Sequence, residues 1–312
     1  MFVKASVLQN SKNPFSRFLR VEIGPMKLKK CFSEEAEKTT ITRAKPQRKT
    51  KDTMKIFFDH IAGQTQEREL IYSPASAIFN KEEYLWAVEN GWQIAIAWDD
   101  DDFSWFNECK ASGVDVWYQS RISRIDLSLM KEKSRYRAKM RKSGADVVWV
   151  NNPDKDRYWE IYRDYIKTKN YSEMYGSPEA LFKPIYGERK YLQYSVAEEV
   201  VAFSAIEFLG DSAIALQFCW DYKEPNRRLG YVNKYYQFRK LREMGCKYMY
   251  LGTSYEVSSL KKCEYKGFEW WTGRDWSKNV ELYKDLVLGE TKMETLEDLH
   301  KQQRAFYSRV DI

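Results

Sequence analysis

The sequence predicts an α+β fold, and three observations carry that prediction. From residue 130 onward the periodicity runs helix, strand, helix, helix, then three consecutive strands, one long helix, a strand, a short helix and a last strand. Leu209-Gly210-Asp211 joins two of the three consecutive strands by a hairpin signal, which makes them antiparallel. The long helical stretch 227–245 then separates that antiparallel run from "KYMYLG", so the next strand follows a crossover rather than a turn.

Taken in order, "NKEEYLWAVENGW" (80–92) reads as a helix, with Asn80 as N-cap and Gly91 as its stop. "QIAIAW" (93–98) alternates like a strand, and "GVDVWY" and "RISRIDLSL" (113–129) read as two further strands. "MKEKSRYRAKMRKSG" (130–144) is a strongly basic helix stopped by Gly144, and "ADVVWV" is a strand. "NNPDKDRYWEIYRDYIKTKN" (151–170) has a proline near its first turn and Tyr158, Ile161, Tyr162 and Tyr165 at helical spacing. "SPEALFKPIY" is a short helix, and "YLQYSV", "EVVAFSAIEF" and "SAIALQFCWDY" are strands. The helix 227–245 ends at Gly245, with lysines and arginines toward its C-terminal half, where the helix dipole favours them. "SSLKKCEYKG" is a short helix and "ETLEDLHKQQRAFYS" a terminal one.

At 312 residues with 43% hydrophobic content, the chain is long enough to bury a sizeable core. Its 11 tryptophans and 22 tyrosines either stack on bases and sugars or fill an aromatic core. Cysteines 31, 109, 219, 246 and 263 are scattered without a C-x-x-C pair and there are two histidines, so no metal site is expected. Dispersed thiols, the lack of a signal peptide and the lack of a membrane-length apolar run together suggest a cytoplasmic protein. The four aspartates 99–102 suit a hard cation or an exposed turn. Thirteen of the 52 Lys/Arg but only 5 of the 45 Asp/Glu lie in 1–53, so the net charge of +7 sits there. That segment reads as a basic, disordered extension, either a nucleic-acid arm or a solvated tail. The expected division is 1–53, a small α/β region 54–119, a main domain 120–288 and a C-terminal helix 289–312.

"RISRIDLSLMKEKSRYRAKMRKSGADV", "YWEIYRDYIKTKNYSEMY", "FCWDYKEPNRRLGYVNKYYQFRKLREMGCKYMYLGTSY" and "KKCEYKGF" occur in this order. Together they resemble the C-terminal domain of arginyl-tRNA–protein transferases and their bacterial leucyl-transferring relatives, over about 120–280. Asn170 stands where that family usually has histidine, and the family's N-terminal cysteine cluster and "WRRSG" signature are absent. The resemblance implies a GCN5-related N-acyltransferase-like fold, a mixed, mostly antiparallel sheet in which two central strands splay apart and substrates meet in the gap. Here that pair is "SAIALQFCW" and "KYMYLG".

It further implies an aminoacyltransferase with aminoacyl-tRNA as donor and an amine acceptor, such as a protein N-terminus, a small molecule or a modified nucleobase. No cofactor is then needed, because the ester is already activated and placement supplies much of the rate. The candidate catalytic groups are Glu207, Gln217 and Asp221 on the splayed strands and Lys266 beyond them. The candidate substrate-binding residues are Tyr222, Arg228, Gly230, Tyr250, Gly252 and Tyr265. Gly252 would let a substrate approach the strand end, whereas Tyr265 and Lys266 either lie over the cleft or are core and solvated respectively. Lys133, Arg137, Lys139 and Arg141 crowd one helix and are the expected nucleic-acid contacts, unless that face is merely solvated. The rival donor is acetyl-CoA. Against it stands Val232, at the last position of the phosphate-loop equivalent 227–232, where a branched side chain would crowd a pyrophosphate. A non-catalytic RNA-binding protein is the third reading.

Overall fold

A computed structural model describes residues 4–9, 17–22, 60–61, 71–72, 76–94, 113, 115–119, 121–131, 134–170, 175–223, 225–254 and 257–290, with 292, 298, 301–302 and 305. Its contacts divide the chain into two units, 1–55 with 307–312, and 56–306. In the first, β1 (Lys4–Gln9) pairs antiparallel with β2 (Arg17–Glu22). The extension 1–53, expected to lack structure, therefore contains a hairpin. Its period-two patterning, with Val7 opposite Leu19 and Ala5 opposite Val21, is masked in the sequence by the surrounding basic run. The basic stretch 38–53 lies outside the described residues, as do Asp99–Asp102.

The second unit begins with a two-stranded pair, β3 (His60–Ile61) and β4 (Ile71–Tyr72). A small antiparallel sheet follows, ordered β5 (Ser76–Ile78), β7 (Val116–Gln119), β6 (Trp92–Ile94), with α1 (Tyr84–Glu89) between β5 and β6. The Glu83 carboxylate accepts from the Asn80 N–H at 2.9 Å, and Gly91, at φ +79, ends the helix where Asn80 and Gly91 were expected to bound it. The strands predicted over 113–129 divide between two sheets, because the chain leaves β7 at Gln119 and enters the main sheet at Ile122 as β8 (Ile122–Asp126).

The main sheet has eight strands, ordered β15, β14, β8, β13, β12, β11, β10, β9. Its edges are β9 (Asp146–Val150) and β15 (Trp276–Ser277), and between them stand β10 (Glu188–Val196), β11 (Glu199–Leu209), β12 (Ser212–Trp220), β13 (Tyr248–Thr253) and β14 (Phe268–Trp271). Every neighbouring pair is antiparallel except β12 and β13. That pair is parallel because α5 (Leu229–Glu243) carries the chain back along the sheet between them. The fold is thus the mixed, mostly antiparallel α+β sheet that the sequence predicts.

Helices cover both faces. On one, α3 (Lys155–Lys169) and α4 (Pro178–Phe182) bury Tyr158, Ile161, Tyr162 and Leu181 against Tyr191, Phe203, Ala205 and Cys219. The Asp154 carboxylate caps α3 by accepting from the Arg157 N–H at 3.0 Å, and Asn170 ends it at φ +51, a left-handed conformation that asparagine adopts more readily than most residues. On the other face, α5 buries Leu229, Val232, Tyr235, Tyr236 and Phe238, and α2 (Ser134–Ser143) packs outside it through Tyr136 and Met140. A second core joins Tyr84, Ala87 and Trp117 of the small sheet region to Ile122, Ile214, Tyr250 and Trp271 of the main sheet. After β14 and β15, α6 (Val280–Glu290) completes the order. Asp298, Lys301, Gln302 and Ala305 are helical, within the terminal helix that the sequence predicts. "SSLKKCEYKG" forms a tighter 3-10 helix, Val257–Glu264, rather than an α-helix.

Candidate active site

The parallel pairing of β12 with β13 lasts three residues, from Ser212 opposite Tyr248 to Ile214 opposite Tyr250. Beyond it β12 runs on to Trp220 and β13 to Thr253 without pairing to each other, so the two strands part toward their C-terminal ends. Both carry an irregularity where they part. The β11–β12 register jumps between Ala205 opposite Gln217 and Ile206 opposite Ala215, which takes Leu216 out of the ladder. The β13–β8 register jumps between Tyr250 and Thr253, and Gly252 there sits at φ +73 with open space where a Cβ would stand.

The structure distributes the expected site residues unevenly around this gap. Gly252 is at its β13 edge. Gln217 is half-buried on β12 on the face that α3 covers, its Nε2 donating to Cys219 Sγ at 3.2 Å. Asp221, just past β12, is engaged by Arg157 at 3.5 Å and by Lys223 at 3.2 Å, and also accepts from the Lys223 N–H at 2.9 Å. Glu207 is not at the gap. It is fully buried on β11, where its carboxylate accepts from the N–H groups of Ile185, Tyr186 and Gly187 and meets Arg189 at 2.6 Å. Such a carboxylate is a fastener for the loop before β10, because every lone pair already has a donor.

Tyr250 is core, hydrogen-bonded by Arg124 at 3.4 Å, and burial pushes its phenol up to about 12. Tyr265 packs edge-on against Tyr235 and Phe238 of α5 at 5.3 and 5.0 Å, with its phenol raised by burial, while Lys266 beside it is exposed. Tyr265 is thus half-buried against α5, with Lys266 in solvent. Tyr222 packs tilted against Trp220 at 3.9 Å, and its hydroxyl is buried without a hydrogen-bond partner.

At the start of α5 the left-handed residue is Arg228, at φ +53 and exposed. Gly230 is not at a left-handed turn; a Cβ there would stand 3.2 Å from the Trp220 indole nitrogen, a tight contact that the indole would have to yield to. Val232 is fully buried toward the core, so it does not crowd this helix start.

Sequence reasoning missed two lysines near the gap, one on α5 and one on the 3-10 helix. Lys262 Nζ donates to the Thr253 carbonyl at the end of β13 and reaches Ser254 Oγ at 3.4 Å. Lys234 Nζ donates to Gln237 Oε1 at 3.0 Å, and Gln237 in turn donates to Ser204 Oγ of β11 at 2.7 Å. Burial, and then the Lys262 charge, push the Lys234 ammonium down to about 7. In the sequence these lysines look like ordinary helix-surface cations. The signal that could have exposed Lys234 is its neighbourhood, a helix whose flanking residues Val232, Asn233, Tyr235, Tyr236, Gln237 and Phe238 are too apolar and aromatic for a solvated face.

The expected nucleic-acid residues lie on α2, apart from Lys133, which is outside the described residues. Arg137 and Arg141 are exposed and, with Met140, Ala145, Tyr236 and Arg239, line a groove of about 400 Å³ between α2 and α5. Lys139 points away from it and sits 4.0 Å over the exposed ring of Tyr231. Among the described residues no group of acidic, histidine and cysteine side chains could hold a metal ion, and no helix is long and apolar enough to cross a membrane. Burial pushes the Cys219 thiol up to about 12, which removes it as a nucleophile.

The gap makes Gly252 a test of close approach. Gly252→Ala and Gly113→Ala each place a side chain at φ +73 with nothing nearby, so each is expected to cost about 1 kcal/mol in a urea melt. Only Gly252→Ala is expected to lower transfer, by about tenfold. Equal activities would remove the β13 backbone from the substrate path.

Solved structures similar to this chain include the C-terminal domain of a putative lysylphosphatidylglycerol synthetase from Agrobacterium fabrum, at 12% identity over 58% of this chain and 54% of that one, with a TM-score of 0.38. Another is L-PGS from Bacillus licheniformis, at 13% identity, 55% and 49% coverage and a TM-score of 0.36. FemX matches at 9% identity, 43% and 52% coverage and a TM-score of 0.34. The chain spans about half the length of these structures. No curated protein matches it. The family model for the C terminus of arginine-tRNA-protein transferase matches residues 151–268, a stretch that contains both splayed strands, α5, Lys234 and Lys262. The matched stretch runs from just before α3 to the first residue of β14, and it lies inside the span 120–280 over which the sequence resembles the C-terminal domain of that family.

Proposed function

We propose that this protein is an aminoacyltransferase that moves an amino acid from aminoacyl-tRNA to an amine. The observation that carries the proposal is the coincidence of the family match with the gap between β12 and β13. The reaction asks little of the protein beyond placement, since the ester is activated and the nucleophile is an amine. Two bulged strand ends offer irregular backbone for holding the ester, and the space beside Gly252 suits its approach. The groove bearing Arg137, Arg141 and Arg239 is the surface for tRNA phosphates, because guanidinium groups bind them bidentately. The acceptor is an amine that reaches the gap, with a protein N-terminus, a small molecule and a modified nucleobase as the classes to try.

An acyl-CoA donor is the second reading. It is favoured by one observation, that Val232 turns into the core and leaves the start of α5 open beside Arg228. Calorimetry with desulfo-CoA and with a non-hydrolysable aminoacyl-tRNA 3′-end mimic separates the two. Binding of the mimic, with transfer of radiolabelled amino acid from charged tRNA to an amine, is the expected result. Micromolar binding of desulfo-CoA without affinity for the mimic would overturn it. Binding of the mimic without transfer to any amine would favour a non-catalytic RNA-binding protein. Neutralising Arg137 and Arg141 together is expected to reduce the slope of log affinity for full tRNA against log salt by about 2. An unchanged slope would make this helix face merely solvated.

A further inference from the structure

We infer that Lys234 is the proton acceptor of the gap between β12 and β13, the group that turns the bound ammonium of the acceptor into a nucleophile. This rests on the aminoacyl-transfer reading. An amine arrives at neutral pH mostly as an ammonium ion, so a base is needed. The carboxylates first considered are committed elsewhere, Glu207 to Arg189 and three N–H groups and Asp221 to Arg157 and Lys223. Gln217 is not basic, and it lies on the face covered by α3.

Position singles out Lys234. It lies one turn from the start of α5, above the end at which β12 and β13 part. Its side chain is tied toward β11 through Gln237 and Ser204, and it lies close enough to Lys262, itself held on the end of β13, to feel that charge. The lysine is thus tied on the β11 side of β12, with Lys262 on the β13 side of the gap. The charged group facing it is Lys262 from the 3-10 helix; around its Gln237–Ser204 tie stand the Tyr194 phenol of β10, raised by burial, and beside that the Phe218 ring of β12. No carboxylate contributes to its surroundings. Such surroundings leave a substantial fraction of the lysine neutral at pH 7.

The step balances as follows. Neutral Lys234 Nζ takes one proton from the acceptor ammonium, and the freed nitrogen pair forms a bond to the ester carbonyl carbon. On collapse the bond to the ribose oxygen breaks. The second proton lost by the nitrogen passes to that oxygen, and the protonated lysine releases its own to solvent, giving an amide, a tRNA hydroxyl and one proton.

The experiment compares two acceptors, an alkylamine, which is an ammonium ion at pH 7, and hydroxylamine, which is already neutral there and needs no base. In Lys234→Met, transfer to the alkylamine is expected to fall at least a hundredfold while transfer to hydroxylamine and affinity for the aminoacyl-tRNA 3′-end mimic are kept. In the wild-type protein kcat for the alkylamine is expected to rise with pH through about 7 and then level off. Lys262→Met is expected to move that midpoint upward, because it removes the neighbouring positive charge. It serves as the test if Lys234→Met does not fold. If the wild-type protein transfers but Lys234→Met keeps the wild-type ratio between the two acceptors, or if Lys262→Met leaves the midpoint in place, the assignment of Lys234 is overturned. A wild-type protein that transfers to neither acceptor overturns the aminoacyl-transfer reading itself, and this assignment with it.

Discussion

Removing the Glu207 carboxylate unfolds the protein before it disables any chemistry, and Glu207→Ala is expected to cost about 3–5 kcal/mol in a urea melt. Glu207 and Arg189 are 0% and 2% exposed. The carboxylate is also the acceptor for three successive N–H groups, 185 to 187, where the chain enters β10. Deleting it leaves a buried guanidinium and three N–H donors without their acceptor, and losing one partner of such a set costs far more than the net worth of the pair. The loss spreads, because the Tyr186 hydroxyl in that loop accepts from the Ile94 N–H and its ring packs edge-on against Trp117. A folded variant with unchanged stability and abolished transfer would restore Glu207 to the chemistry and refute the fastener role.

Arg121→Ala and Glu290→Ala are each expected to cost a similar amount, about 3–5 kcal/mol. Arg121 stands where the chain crosses from β7 to β8, and Glu290 is the last residue of α6, 169 positions away in sequence. The guanidinium grips the carboxylate with both Nη atoms, one of them at 2.7 Å, and each side chain is 2% exposed. The pair therefore joins the entry to the main sheet to its final helix in a place that water does not reach. Arg121→Met combined with Glu290→Leu should recover most of the loss, since apolar side chains of like volume remove the cost of burying charge. If either single alanine variant melts like the wild-type protein, the pair is not buried in solution. If the double variant is as unstable as the singles, the guanidinium stem rather than the charge pair holds the junction.

Most of the helices and the central strands were legible in the sequence because their signals are local. Asn80, Gly91, Gly144 and Gly245 mark helix ends by chemistry that acts within four residues. The hairpin at Gly210-Asp211 is likewise read from the turn itself. The division of 113–129 between two sheets was not legible. Both strands alternate in the same way, and only the packing of Trp117 against Tyr84 and Phe79, away from the main sheet's own order, separates them.

The candidate site divides along the same line. By itself the sequence determined the order of elements, the crossover helix between β12 and β13, and the glycine at position 252, because backbone conformation and periodicity are properties of neighbouring residues. Only the tertiary structure decided which polar side chains matter at the gap. Glu207, Gln217 and Asp221 alternate or adjoin along two strands and look equivalent, yet one is a buried fastener, one faces α3 and one is held in surface ion pairs. Lys234 looks like one of the four cations of its helix, with Arg239, Lys240 and Arg242. What distinguishes it is burial beside a second positive charge that comes from 28 residues further along the chain, and both the desolvation and the repulsion that shift a lysine exist only once distant segments have been brought together.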